Sequence, residues 1–71
     1  MKITLKAARA NKGLTQQEAA DRIGISRWTY MFMESHPERA TVENAKKACD
    51  VFGVGMDDII FLPADQPEVG S

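Results

Sequence analysis

Apolar positions along the chain fall into short clusters, separated by glycines, prolines and single hydroxyl residues. Leu5 and Ala8, with the stem of Arg9, share one side of a helix that Thr4 can cap and that ends near Gly13. Thr15-Gln-Gln-Glu18 matches a capping box: the threonine hydroxyl accepts from a free backbone N–H while the glutamate reaches back. The helix it opens is short, carries Ala19, Ala20 and Ile23 on its inner face, and stops at Gly24. Ser26 opens a third helix, which Pro37 closes because the residue before proline avoids helical geometry. Thr41 opens a fourth, with Val42, Ala45, Ala48, Cys49 and Phe52 inward and Gly53 in the left-handed cap position. A last short helix carries Met56, Ile59 and Ile60. No strand pattern or internal repeat interrupts this series, so the expected fold is all-α. Residues 1–62 read as one domain, and residues 63–71, with Pro63 and Pro67, as a disordered tail.

The third helix poses a question of its own. In ISRWTYMFMES, residues 25–35, Trp28, Tyr30, Met31, Phe32 and Met33 fall within six positions. At about 3.6 residues per turn they cannot all share one inward stripe. Some of them must meet something other than the core. The two helices of residues 16–35 meet at Gly24, with small Ala20 four residues earlier. A steep crossing requires a small residue where backbones approach, and glycine allows positive φ at the corner. Ile25, Tyr30 and Met33 then fall where they return the third helix onto the second.

Composition narrows the function classes. A 71-residue chain with 44% hydrophobic and 27% charged residues is a single small globular domain. No apolar run is long enough for a bilayer, and no signal-peptide pattern opens the chain. One cysteine, Cys49, excludes an internal disulfide and suits a reducing cytoplasm, while Cys49 and His36 alone cannot build a four-ligand zinc site. Asp57 and Asp58 adjoin without a base or metal ligands, and no nucleophile has an identifiable base, so catalysis finds no support. No metal, cofactor or small-molecule ligand is expected. Net charge is −1, but it is unevenly spread. Six basic residues face three acidic ones through residue 35, a balance of +3; three face seven beyond it, a balance of −4. Such a division can present one anion-attracting face.

The segments LKAAR (5–9), GLTQQEAADRIGIS (13–26), Glu34 and TVENAKKACDVFGVGMDDII (41–60) together resemble the Cro/cI-type helix-turn-helix regulators of phages and bacteria. The match runs without gaps over about fifty-five residues. The resemblance implies a compact, lambda-repressor-like five-helix domain whose third helix enters the DNA major groove. It places Thr15, Gln16 and Gln17 where the second helix's N-terminus meets a phosphate, as free N–H groups and the helix dipole would favour. It places Ser26, Arg27 and Trp28 at the start of the recognition helix, with Phe32 one turn along that face. Arg27 can address guanine, clamp a phosphate or stay in solvent. The family's ion pair between helices 1 and 3 falls on Arg9 and Glu34, a structural role.

The chain departs from the family in two places. Tyr30 and Met33 match inward positions, and their bulk can replace volume where Ala19, Ala45 and Ala48 stand in for the leucines common in these domains. Trp28, Met31 and Phe32 stand where the family is usually polar. Phe32 can read DNA by packing on thymine methyl groups. Trp28 could instead fold over Ala20 as peripheral core, or the patch could hold a protein. In the loop Ser35-His-Pro-Glu-Arg39, Glu38 would repel phosphate, leaving Arg39 and His36 as donors. The resemblance implies a sequence-specific regulator of transcription binding double-stranded DNA, a Cro-like phage or prophage repressor. With no self-cleaving second domain in sight, it would act as a homodimer on a near-palindromic operator. Ile59, Ile60, Phe61 and Leu62 form the expected dimer seam. The alternative is an antitoxin-like or antirepressor-like protein-interaction module on the same fold.

Overall fold

The computed structural model describes residues 2–61. Four helices follow one another: α1 (Leu5–Asn11), α2 (Gln16–Ile23), α3 (Arg27–Ser35) and α4 (Val42–Phe52). Each begins at the hydroxyl residue that the chain supplies. The Oγ atoms of Thr4, Thr15, Ser26 and Thr41 accept from the N–H of the third residue beyond, at 3.0–3.1 Å. At Thr15 the box is complete, because the Thr15 N–H donates to Glu18 Oε1 at 2.8 Å. That bond from the Thr15 backbone also holds the Glu18 carboxyl below the usual range. Gly24 and Gly53 close α2 and α4 at φ values of 91° and 70°, where any side chain would be strained.

The core sits between α2 and its neighbours α3 and α4. Ala19, Ala20 and Ala48 are wholly buried, and Tyr30 and Met33 fill the space these small residues leave. The Tyr30 ring meets Phe52 of α4 edge-on, with centroids 6.3 Å apart. Leu5, Leu14, Ile23 and Cys49 complete the cluster. Burial, aided by the charges of Asp50 and Asp58, raises the Cys49 thiol above its ordinary value. The thiol is therefore inert packing material.

Three expectations are corrected. The anticipated fifth helix is a 3-10 turn, Met56–Asp58. Beyond it the chain extends: Ile3 N–H donates to the Asp58 carbonyl at 2.8 Å, and Ile60 N–H to the Ile3 carbonyl at 2.9 Å. An isolated parallel bridge between Ile3 and Ile59 thus claims the amide that a helix would have needed, and β-branched isoleucine suits the extended chain. Ile59, expected in an exposed seam, is consequently buried at 1% exposure, while Ile60 and Phe61 are half-buried. Leu62 and the expected tail, residues 63–71, lie outside the described residues. Val42, expected inward, is 76% exposed. It matches the α4 periodicity, but helical side chains lean toward the N-terminus, so the first one projects past the helices it should pack on. Among the described residues no helix is long and apolar enough to cross a membrane.

Candidate nucleic-acid interface

The turn between α2 and α3 sets the interface. The Ile25 N–H and the Gly24 N–H both donate to the Ala20 carbonyl, which ends α2 abruptly and launches α3 across it. Where α3 lies over α1 and α2, two side chains converge on one carboxylate. Arg9 Nε donates to Glu34 Oε2 at 2.6 Å, and Gln16 Nε2 donates to Glu34 Oε1 at 3.1 Å. A further Arg9 nitrogen, Nη1, donates to the Leu14 carbonyl at 2.8 Å. Both side chains of the ion pair are largely buried, at 14% and 7% exposure.

Burial alone would push the Glu34 carboxyl up, but hydrogen bonds, foremost that from Arg9, hold it below the usual carboxylate range. The Arg9 guanidinium is raised in turn, chiefly by its bond to Glu34. Beside the pair, the Tyr30 hydroxyl is buried without meeting hydrogen-bond geometry to any partner. Its acidity is suppressed first by burial and then by the Glu34 carboxylate.

Two hollows are lined by residues of this region. Arg9, Thr15, Gln16, Gln17 and Arg27 line the first. It is polar, bordered by two guanidinium groups and by the opening turn of α2, whose N–H groups lack intrahelical acceptors. Trp28, Met31, Phe32, Ser35 and His36 line the second, which is mostly apolar. The His36 ring leans on Phe32, centroids 5.0 Å apart. Neither hollow has a carboxylate in its lining.

Each expected contact residue can now be placed. Thr15 and Ser26 spend their hydroxyls on helix caps, and Ser26 also donates to Thr29 Oγ1 at 2.9 Å. Gln16 is drawn inward to Glu34, whereas Gln17 reaches Asp21 Oδ1 at 2.8 Å along its own helix. Arg27 is exposed on the rim of the first hollow. Trp28 is 76% exposed and Phe32 41% exposed, so Trp28 does not fold over Ala20 as core. Arg39 is exposed at the end of the 3-10 turn Pro37–Arg39 and lines neither hollow. Glu38, feared as a repellent of phosphate, lies 3.8 Å from His36 Nδ1. The anticipated patch of Trp28, Met31 and Phe32 is brought together in the second hollow, and Ser35, which was not singled out, and His36, expected only as a phosphate donor, join it. Their signal lay in the spacing 28-31-32-35-36, which marks one helix face.

The model of the helix-turn-helix family matches residues 5–59, more than three quarters of the chain. The chain belongs to the Cro/cI-type helix-turn-helix family. An uncharacterized HTH-type transcriptional regulator of Methanocaldococcus jannaschii is 35% identical over 66 residues, covering 93% of this chain and all of the relative. Another, from Archaeoglobus fulgidus, is 30% identical over 66 residues, covering 93% of each chain. No solved structure matches significantly. The family places this chain among DNA-binding regulators of transcription.

Proposed function

We propose that the chain binds a near-palindromic operator as a homodimer and regulates transcription from it, with α3 in the major groove. The observation that carries this reading is the hollow in which exposed Arg27, the first residue of α3, meets the α2 N-terminus. A DNA phosphate fits the first hollow, because the exposed Arg27 guanidinium and the free N–H groups at the α2 start border it, the Arg9 charge being matched by Glu34. Arg27 stands between phosphate and bases and can take guanine O6 and N7. Thr15, Gln16 and Gln17 border the phosphate, and Arg39 adds a backbone contact at the far end of α3. With so few cations at the interface, affinity should fall with salt less steeply than for strongly basic regulators. One short recognition helix reads only a few base pairs, so two copies about one helical turn apart are needed. Ile60, Phe61 and Leu62 remain the proposed seam. The action is cytoplasmic, where the DNA is. The relatives are archaeal regulators, and none is named as a phage protein.

Selection of bound duplexes from a random pool, followed by sedimentation with the enriched site, tests the proposal. An enriched palindrome bound by two copies is the expected result. The exposed Trp28 and Phe32 favour one rival, a protein-interaction module; absence of any enriched sequence would support it and overturn DNA recognition.

A further inference from the structure

The outward face of α3 carries few groups that can hydrogen-bond a base. Arg27 is one. The Thr29 hydroxyl accepts from Ser26 on a half-buried side chain, and Ser35 and His36 stand at the far end of the helix. What the face offers is carbon: Trp28 and Phe32, one helical turn apart, with half-buried Met31 as a floor between them. The major groove presents little apolar surface except the C5-methyl group of thymine. The Arg9 charge is matched by Glu34, so it is the exposed Arg27 guanidinium, beside Trp28 at the start of α3 and bordering a polar hollow with no carboxylate in its lining, that suits a polyanion. That complementarity favours DNA over a protein as the occupant.

Resting on the DNA-binding proposal, we infer that the Trp28–Met31–Phe32 hollow selects the operator by the methyl groups of thymines. Four residues of helix advance about 6 Å, and two base-pair steps advance about 7 Å. Trp28 and Phe32 therefore address two thymines roughly two steps apart, beside a guanine addressed by Arg27. Methyl recognition replaces the amide-to-base hydrogen bonds that polar residues would make at these positions. The Phe32 ring can make such a contact without leaving a buried polar group unpaired, and the Trp28 ring can do so with its Nε1–H turned to water.

The test needs no altered protein. Deoxyuridine differs from thymidine only by lacking the C5-methyl group, so each thymine of the selected site is replaced by uracil in turn. Two positions per half-site should each weaken binding by about four-fold, the effect of one buried carbon, and other positions should not respond. Trp28→Ala and Phe32→Ala, both on exposed side chains, should each abolish the response at one position. An enriched site that binds equally well with uracil throughout overturns methyl reading while leaving the DNA-binding proposal intact. Failure to enrich any duplex overturns both.

Discussion

The two faces of α3 are built from similar residues and have opposite fates. Tyr30 and Met33 are buried at 0% and 2% exposure, while Trp28 and Phe32, equally large and apolar, remain at 76% and 41%. Hydrophobicity does not separate them. Their angular position relative to α2 does, because the glycine corner turns one face of α3 onto Ala19 and Ala20 and leaves the other without a covering element among the described residues. A helix apolar on two sides must find a second apolar surface or keep its carbon in water. The inner face thus supplies stability, and the outer face is available for recognition.

Substitutions at matched sites should separate the two. Tyr30→Ala opens a large cavity where small alanines cannot collapse inward, and should cost about 3–5 kcal/mol. In a domain of this size that is enough to abolish the thermal transition, as circular dichroism would reveal; a Tm within a few degrees of the parent would mean the inner face is not core. Next comes Arg9→Ala, which leaves Glu34 buried without its partner and should cost about 3 kcal/mol. Urea unfolding measures this directly, and a loss below about 1 kcal/mol would show that solvent already screens the pair.

The same pair should make stability depend on acid. The folded Glu34 carboxyl lies below its ordinary value of 4.5, so its contribution is present above that pH and drains away as pH falls through the folded value. Glu18, held low by the Thr15 N–H, steepens the same decline. Glu34→Gln should start less stable at neutral pH yet show a flatter Tm profile between about pH 5 and pH 3. Parallel profiles for parent and variant would contradict that assignment.

Smaller effects sharpen the contrast further. Tyr30→Phe removes a buried hydroxyl that lacks a partner, so stability should hold within about 1 kcal/mol or rise slightly. A loss beyond that would show that the hydroxyl donates to Glu34 in solution. Least of all, Trp28→Ala should change unfolding by under about 0.5 kcal/mol, as exposed sites do. Marked destabilisation would place Trp28 in the core and merge the two faces.

Much of this architecture was legible because it is local. Thr4, Thr15, Ser26 and Thr41 begin helices through atoms three residues away, and Gly24 and Gly53 end them through backbone angles that other residues resist. Such interactions need no distant partner, so one-dimensional order suffices to read them. The spacing of Tyr30 and Met33 likewise marked the inner face before any fold was known. Tertiary structure decided the rest. Whether Val42 is covered depends on how far neighbouring helices extend past the α4 start. Whether residues 56–60 wind as a helix depends on Ile3, more than fifty positions away, offering its carbonyl to Ile60. Gln16 looked like a free phosphate ligand, but Glu34 arrives from α3 and accepts its amide. Trp28 had three destinations open to it, and among the described residues no element covers the outer face of α3, which leaves it in solvent. The chain alone specifies where its helices start and stop. Which surfaces they cover follows from contacts between residues far apart in the chain, which no local pattern encodes.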